Sequence, residues 1–425
     1  MIVNFVTRAR KSPLVKNAAW LFAGQGLSFL VQAAYFIVLA RLLGTQQYGI
    51  LAGAVALVAV VSQYSTLGSG LLFLRYVCPD HSRFRLYWGN IVASVSLMGS
   101  LIVLGLWLFG HVLLGSDSLP ILIPLAIGDC LFQQFNSCAA QVFQTFEKMK
   151  FSAMLNLLSN LLRLILAVFM LWHLGTASAF QWALASLAVS GLAAVVSFVT
   201  VTRSYGLPAL SISLFFKRMG EGVIFAISGS TTAAYNDIDK VVLSHFGMDR
   251  ANGLYSMAYR VVNIGTMPIM SIVGAAFPRF FREGVNGVGA TFPMAKSLLK
   301  RTATLGLGIS CMMFIFAPII PHLVGPSYAN AVDALRWLCL IPFFRCFHLS
   351  AGDAIAGSGH QRYRLASQSI AAVGNLLLNL YLIPRYSWHG AAWASLATDG
   401  ALGVMNWSAL FVLRKRNASV YYQTA

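Results

Sequence analysis

The sequence predicts an all-α membrane protein that crosses the bilayer about twelve times. Of its 425 residues, 58% are hydrophobic and only 10% are charged, whereas a soluble domain carries about 25% charged residues. The mean hydropathy is +0.72. Apolar stretches long enough to cross a bilayer core of roughly 30 Å recur along the whole chain. This composition excludes a water-soluble core.

Twelve apolar stretches are the predicted spans. The connections between them are too short to fold as soluble domains, so function is expected between the helices. The predicted spans cover residues 17–40, 49–74, 88–110, 119–144, 152–172, 179–201, 222–245, 253–278, 302–323, 330–356, 365–383 and 390–413.

The basic residues predict the topology. The net charge of +18 does not indicate a nucleic-acid partner, because Lys and Arg recur in every second loop and form no single patch. The loops on the other side hold only Arg41, Arg250 and Arg385. The positive-inside rule therefore places both termini in the cytoplasm, and attraction to anionic membrane lipids accounts for the remaining charge. The predicted cytoplasmic residues are Arg8, Arg10, Lys11, Lys16, Arg75, Arg83, Arg85, Lys148, Lys150, Arg203, Lys217, Arg218, Arg279, Arg282, Lys296, Lys300, Arg301, Arg362, Arg364, Arg414, Lys415 and Arg416.

The chain carries no motif of a catalytic, nucleotide or metal site. HExxH, a nucleophile elbow and a Walker loop do not occur. The six cysteines lie mostly within the spans without CxxC spacing, so we interpret them as small apolar filler. We predict no enzyme activity, no cofactor and no metal site.

The two halves of the chain resemble each other. Spans six and twelve share similar stretches, ALASLAVSGLAAV at 183–195 and AWASLATDGALGV at 392–404. Spans five and eleven share SNLLRL and GNLLLN, and the connections after spans one and seven share VLARLLGTQQYGIL and VLSHFGMDRANGLY. Three matches in the same order indicate a repeat of six spans.

A repeat of six spans keeps its orientation, so its halves are related by an axis along the membrane normal. We therefore expect two six-helix lobes that face each other across a central cavity. The predicted N-terminal lobe covers 1–201, the cytoplasmic linker 202–221 and the C-terminal lobe 222–425.

Polar side chains at helical spacing mark the helix faces that we expect to line this cavity. Amides, hydroxyls and aromatic rings suit sugar hydroxyls and sugar C–H surfaces. The alternative is that these side chains hydrogen-bond neighbouring helices, for about 0.6 to 2 kcal/mol per pair. The stripes are Gln25, Gln32 and Tyr35 in span one, Gln133, Ser137, Gln141 and Gln144 in span four, Asn156, Asn160 and Arg163 in span five, Tyr255, Ser256, Tyr259, Arg260 and Asn263 in span eight, and Gln368, Asn375 and Asn379 in span eleven.

Formal charges within the spans are expected to face the interior or one another, because each would cost at least about 2.5 kcal/mol against lipid. The cations are Arg163, Lys240, Arg260, Arg336 and Arg345, and the anions are Asp129, Asp237, Asp239, Asp353 and Asp399.

Arg163 and Arg260 are the first candidates for phosphate contacts. Neither has an acid within one helical turn, so we expect their charge to be available to an anionic ligand such as a diphosphate. Arg345 precedes Asp353 by eight residues, which places both signs on one helix face. Near the outer end of span ten, Arg336 is expected to pair with Asp333, three residues before it.

The stretch YNDIDKVVLSHFG at 235–247 places three charges in span seven. Asp237 and Lys240 stand at i and i+3, so we expect them to pair. Asp239, with Tyr235 as its nearest polar neighbour along the chain, is the candidate for a protonatable group or an inter-lobe contact. Whether Asp129, Asp237, Asp239 or Asp353 takes up a proton or a sodium ion stays open.

Two segments resemble the Wzx-type polysaccharide and O-antigen flippases of the multidrug/oligosaccharidyl-lipid/polysaccharide (MOP) superfamily. The first is QGLSFLVQAAYFIVLARLLGTQQYGIL, and the second is DKVVLSHFGMDRANGLYSMAYRVVNIGTMPIMSIVGAAFPRF. The second has the family's acid-containing seventh helix, a short outer turn with glycine and tyrosine, and an eighth helix that ends in Pro-Arg.

The resemblance implies two six-helix bundles around a cavity that opens alternately to each face of the bacterial inner membrane. The implied cargo is an undecaprenyl-diphosphate-linked oligosaccharide, flipped from cytoplasm to periplasm, with a polysaccharide polymerase and a chain-length regulator as further partners. Cavity residues would hold the diphosphate and glycan while the lipid tail stays in the bilayer. The candidate binding residues are Arg163, Arg260, Arg345, Lys240, Gln25, Gln32, Gln133, Gln141, Asn156, Asn160, Tyr259, Asn263 and Asn375.

Two alternatives remain. A cation-coupled multidrug exporter of the same superfamily usually buries an acid in its first helix, where this chain has Gln25 and Gln32 but no Asp or Glu. A membrane-embedded polysaccharide polymerase or ligase usually carries a large external loop, whereas the predicted external loops here are short.

Overall fold

The computed structural model describes residues 13–423, with side chains described from 26 to 415, and every regular element in this part of the chain is helical. The side chains of Gln25 and of Arg8, Arg10, Lys11, Lys16 and Arg416 lie outside the described residues.

The helices follow the predicted spans closely. Short 3₁₀ turns occupy His81–Arg83, Ser116–Ser118, Ala317–Ile319 and Pro326–Tyr328. The α-helices are α1 (Pro13–Ser62), α2 (Ser69–Val77), α3 (Phe84–Leu113), α4 (Leu119–Ala126), α5 (Gln134–Thr145), α6 (Met149–Leu174), α7 (Ala179–Tyr205), α8 (Ile212–His245), α9 (Asp249–Gly284), α10 (Val288–Phe316), α11 (Ile320–Val324), α12 (Ala331–Leu338), α13 (Ile341–Gly357), α14 (Gln361–Tyr386) and α15 (Trp388–Gln423).

Among the described residues, ten helical stretches are long and apolar enough to cross a membrane. The first, Gly26–Ser62, covers parts of predicted spans one and two, which Gly44 separates with a φ of 67° that glycine adopts without a steric penalty. The rest of predicted span two lies in a turn and in α2. Predicted span seven lies in α8, which is not among the ten because its polar and charged residues lower its hydropathy. The predicted all-α, multi-pass membrane fold is confirmed.

The fourth span changes its helical geometry midway. Between α4 and α5, residues Ile127–Gln133 form a π-helix that contains Asp129. Such segments rotate the following residues relative to a continuous α-helix and are frequent at functional sites. The predicted stripe in span four therefore begins at the last residue of the π-helix, Gln133, and continues along α5.

The chain divides into two compact units between residues 233 and 234, inside α8. Unit 1 has an aromatic core in which Phe73, Trp88 and Phe143 are completely buried. Unit 2 has an aliphatic core that brings together α9, α10, α13 and α15, with Phe280 and Ile355 completely buried. Large apolar side chains are exposed on the surface of each unit, among them Trp107 and Trp172 in unit 1 and Ile315 and Val404 in unit 2.

The predicted linker at 202–221 is largely helical. The end of α7 and the start of α8 leave only residues 206–211 between them. Glu221 of α8 accepts hydrogen bonds from the Tyr76 hydroxyl at 3.0 Å and from the Arg218 guanidinium at 2.6 Å. These bonds hold the pKa of the Glu221 carboxyl below its ordinary value and attach the start of α8 to α2. The division into lobes at this linker stays a prediction.

Candidate functional site

A polar cavity of about 280 Å³ lies among α8, α9 and α13 of unit 2. We call it the Arg345 cavity. Its lining residues are Asn236, Asp237, Lys240, Ser256, Tyr259, Arg260, Asn263 and Arg345.

Helical spacing explains how these side chains converge. On α8, Asn236 and Lys240 stand one turn apart, and on α9 the residues Ser256, Tyr259 and Asn263 share one face at i, i+3 and i+7. The polar stripe predicted in span eight therefore faces this cavity. The structure brings together six of the predicted site residues, Asp237, Lys240, Tyr259, Arg260, Asn263 and Arg345.

Arg345 is held in the cavity by neutral groups. Its guanidinium donates to Asn263 Oδ1 at 3.3 Å, to the Tyr259 hydroxyl at 3.2 Å and to Asn236 Oδ1 at 3.5 Å. The guanidinium carbon also lies 5.9 Å from the centre of the Tyr259 ring. These contacts fix the orientation of the guanidinium, which faces the cavity, while the buried Asp399 carboxylate outside the lining also acts on its charge.

Lys240 forms the predicted local pair. Its ammonium group donates to Asp237 Oδ1 and, at 3.4 Å, to the carbonyl oxygen of Asn236. The same ammonium lies 4.6 Å from the centre of the Tyr259 ring. The lining thus contains three cations, Lys240, Arg260 and Arg345, and one carboxylate, which makes a formal sum of +2.

Asp239 is buried beside the cavity and is not among its lining residues. Its carboxylate accepts hydrogen bonds from the Tyr255 hydroxyl and from Ser395 Oγ at 3.3 Å. It also accepts from the backbone N–H of Lys240 at 2.8 Å. These partners all belong to unit 2, and the expectation that Tyr235 is its polar neighbour is wrong. Asp239 acts as a hydrogen-bonding centre that connects α8, α9 and α15.

Tyr235 instead donates a hydrogen bond to Asp399 of α15. The imidazole of His348 lies 3.8 Å from the same carboxylate, measured from Nε2 to Oδ1. His348 was not among the residues predicted from the sequence. The available signal was a lone histidine within an apolar span, but its carboxylate partner lies 51 residues further along the chain, so the sequence did not indicate the pair.

Asp353 is paired with a residue that the sequence placed in a loop. Arg364, in the first turn of α14, donates from Nη1 to Asp353 Oδ1 at 2.8 Å, and Asp353 is only 3% exposed. Arg345 and Asp353 were expected to share a helix face, and they form no ion pair with each other. The two residues lie more than two turns apart, and each finds its partners on other helices.

In unit 1, Arg163 forms an ion pair with Asp129, whose Oδ1 lies 3.1 Å from Nη2, and also donates to Ser190 Oγ at 3.3 Å. The expectation that its charge stands available is wrong, because the acid comes from another helix. Asn160 similarly donates to Ser28 Oγ at 2.6 Å. These contacts favour the alternative in which polar side chains hold helices together.

The other predicted site residues are more dispersed. Asn375 is buried and donates to Thr398 Oγ1 at 3.1 Å. Gln32, Gln133 and Gln141 are half-buried in unit 1, and Asn156 is exposed. Their roles in binding stay predictions.

Replacing Arg163 by alanine is expected to lower the thermal midpoint of the purified protein, because the Asp129 carboxylate then loses its cation. Adding Asp129→Asn should recover part of the loss, with a coupling free energy of about 0.5 to 3 kcal/mol for residues in contact. Thermal unfolding in detergent measures both variants. An unchanged midpoint together with equal loss of transport in the single and double variants would assign Arg163 to substrate binding instead.

The helical architecture is that of the transporters of the MOP superfamily. An inward-facing multidrug resistance MATE family transporter matches with a TM-score of 0.70 and 14% identity over 93% of this chain and 99% of its own. The lipid II flippase MurJ, in an inward closed conformation, matches with a TM-score of 0.69 and 13% identity over 93% of this chain and 87% of its own. The chain therefore has the fold of these membrane transporters.

The chain belongs to the polysaccharide biosynthesis protein family, whose model matches residues 14–283. A putative O-antigen transporter of Escherichia coli (strain K12) is 22% identical over 407 residues, which is 92% of this chain and 94% of that protein. These findings confirm the resemblance to the polysaccharide flippases of the MOP superfamily.

Proposed function

We propose that this protein flips an undecaprenyl-diphosphate-linked oligosaccharide from the cytoplasmic to the periplasmic leaflet of the bacterial inner membrane. Both termini would lie in the cytoplasm. The observation that carries the proposal is the Arg345 cavity, whose charged lining residues sum to +2 in a chain of the polysaccharide biosynthesis family. A downstream polysaccharide polymerase and a chain-length regulator would use the flipped product.

The cavity suits the two polar parts of such a cargo. One guanidinium group can bind two phosphate oxygens at once. We therefore assign the diphosphate to Arg345 and Arg260, with Lys240 beside them. The amides of Asn236 and Asn263 are donors and acceptors for sugar hydroxyls. We infer that the polyprenyl tail stays in the bilayer while the cavity holds the head group.

We further propose an alternating-access cycle, as in other transporters built from repeats. Of the four carboxylates considered for ion coupling, Asp237 is the one that lines the cavity, where it is paired with Lys240. Asp129 and Asp353 are paired with arginines outside this lining, and Asp239 is hydrogen-bonded in the core. Asp237 is therefore the first candidate for coupling to a cation gradient.

A cation-coupled multidrug exporter is the second candidate function, because the MATE transporters share this fold. The charge of the cavity argues against it. Three cations and one carboxylate would repel the cationic compounds that such an exporter would have to bind. The fold leaves both functions open, and the lining residues favour the anionic cargo.

Deletion of the gene in its host tests the proposal whichever glycan is carried. We expect surface polysaccharide to be lost and undecaprenyl-diphosphate-linked oligosaccharide to accumulate where a glycan-binding probe in the periplasm cannot reach it. Both effects should be reversed by the plasmid-borne wild-type gene. Normal surface polysaccharide combined with greater sensitivity to cationic drugs would contradict the flippase and support the exporter.

A further inference from the structure

A second cavity in unit 2 has the opposite character. It has a volume of about 680 Å³, lies among α10, α13 and α15, and is lined mainly by aromatic and aliphatic side chains. We call it the aromatic groove, defined by Phe344 and Phe347 of α13, Gly400 and Val404 of α15, and two basic residues at one end. It shares no residue with the Arg345 cavity.

Small residues of α15 form the floor of the groove. A Cβ atom added to Gly400 would lie 3.7 Å from Cε1 of Phe344, and one added to Gly403 would lie 3.1 Å from Cβ of Phe347. The absence of a side chain at these two positions lets α15 pack closely against α13, and the cavity opens beside this contact, along the phenyl rings. The Val404 side chain at its edge is 68% exposed, so the channel is accessible from outside the unit.

The two basic residues give the groove a polar end. Lys296 of α10 and Arg414 of α15 are both exposed, and the lining contains no acid. The guanidinium carbon of Arg414 lies 4.3 Å from the centre of the Phe292 ring, which orients the charge beside the apolar channel. Both residues belong to the set that the positive-inside rule assigns to the cytoplasm.

The length of the groove matches one leaflet. From Gly400 to Arg414, α15 advances fourteen residues, or about 21 Å at roughly 1.5 Å per residue. Half of a bilayer, counted from the midplane through the head groups, measures about 20 to 22 Å. A phospholipid with its acyl chain in the channel would place its phosphate between Lys296 and Arg414.

Unit 1 contains the corresponding groove without the charges. A cavity of about 470 Å³ lies among α3, the fourth span and α7, and Gly191 and Val195 line it. In the sequence repeat these residues align with Gly400 and Val404. The lining of the unit 1 cavity contains no basic residue, and α3 contributes serines such as Ser96. The repeat thus accounts for the channel in both units, and the basic end is particular to unit 2.

We propose that the aromatic groove of unit 2 is a binding site for an anionic phospholipid of the cytoplasmic leaflet. The acyl chain occupies the channel bordered by Phe344 and Phe347, and the phosphate contacts Lys296 and Arg414. Basic pockets between transmembrane helices bind anionic head groups in this way. This lipid site is separate from the Arg345 cavity, and the proposal does not depend on which cargo that cavity binds.

Native mass spectrometry of the full-length protein in detergent tests the site. The probes are phosphatidylglycerol and phosphatidylcholine with identical acyl chains, added in equal amounts. We expect phosphatidylglycerol to be retained preferentially, and the preference to fall about 5-fold for Lys296→Gln and for Arg414→Gln separately, or roughly 30-fold for both. Equal retention of the two lipids by the wild type, or an unchanged preference in the double variant, would overturn the proposal.

Two substitutions at aligned positions of the repeat distinguish lipid binding in the groove from general effects of a bulky side chain on the protein surface. Val404→Trp should fill the channel of unit 2 and lower phosphatidylglycerol retention, whereas Val195→Trp fills the equivalent position of unit 1 and should leave retention unchanged. Size-exclusion elution and the thermal midpoint confirm that both variants fold. Equal effects of the two substitutions, or displacement of phosphatidylglycerol by undecaprenyl phosphate at equal concentration, would overturn the assignment to a phospholipid.

Discussion

Replacing Arg345 by alanine is expected to slow flipping of the lipid-linked oligosaccharide by about 10- to 150-fold, since a hydrogen bond to a charged group contributes about 1.5 to 3 kcal/mol. We expect the slower flipping to result from weaker binding of the cargo. Arg345 is oriented by Asn236, Tyr259 and Asn263 and contributes its charge to the cavity. Arg345→Lys should retain part of the rate, because the ammonium keeps the charge without the paired donors. Surface polysaccharide in the complemented deletion strain measures the effect.

The matched control is Arg336→Ala. Arg336 lies on α12 with a 42% exposed side chain, 3.9 Å from Asp333. The substitution removes the same charge from the same unit without touching the cavity, so surface polysaccharide should remain at the wild-type level. If Arg345→Ala also exports normally at equal membrane abundance, the Arg345 cavity is not the binding site.

Replacing Asp353 by alanine is expected to cause the largest loss of stability, a decrease of about 3 to 5 kcal/mol in the free energy of unfolding, because removing one partner of a buried ion pair leaves the other uncompensated. The remaining partner is Arg364, whose side chain is 24% exposed. Asp353→Asn should be milder, since the amide oxygen can still accept from Arg364. Thermal unfolding of the purified protein in detergent measures both changes.

The exposed pair on α12 provides the comparison for this prediction too. Asp333→Ala removes a 66% exposed carboxylate and should leave the thermal midpoint nearly unchanged, as is usual for surface ion pairs. The double variant Asp353→Ala/Arg364→Ala should be more stable than Asp353→Ala alone. Loss of transport in Asp353→Asn without any change in stability would instead assign Asp353 to ion coupling.

The fold class could be predicted because hydropathy over about 20 residues is a local property of the chain. The pair of Asp237 and Lys240 was predictable for the same reason, since residues three apart share a helix face. The partner of Arg163 was not, because Asp129 precedes it by 34 residues on a different helix. Spacing along one helix shows which way a side chain points and leaves open what it meets there.

The same distinction explains the rest of the candidate site. Four residues of the stripe in span eight, Ser256, Tyr259, Arg260 and Asn263, line a cavity within unit 2, whereas Tyr255 donates to Asp239. The central cavity between two lobes stays a prediction. Arg345 and Asp353 were predicted to share one helix face because they lie eight residues apart, and the structure gives each its partners on other helices. In a membrane helix, where apolar positions face lipid and neighbouring helices alike, hydropathy carries little information about which helices pack together.

The formal charge of the Arg345 cavity also has an electrical consequence for the proposed cycle. Without cargo the lining sums to +2, from three cations and one carboxylate, and a diphosphate diester carries a charge of about −2 near neutral pH, so the loaded site is close to neutral. A membrane voltage does about 2.3 kcal/mol of work per elementary charge per 100 mV, and it therefore acts little on the loaded step. In the proposed cycle the same voltage acts on the formal +2 of the unloaded lining, so a potential that is negative inside is expected to favour its return toward the cytoplasm, less strongly to the extent that the buried carboxylates of Asp239 and Asp399 move with it.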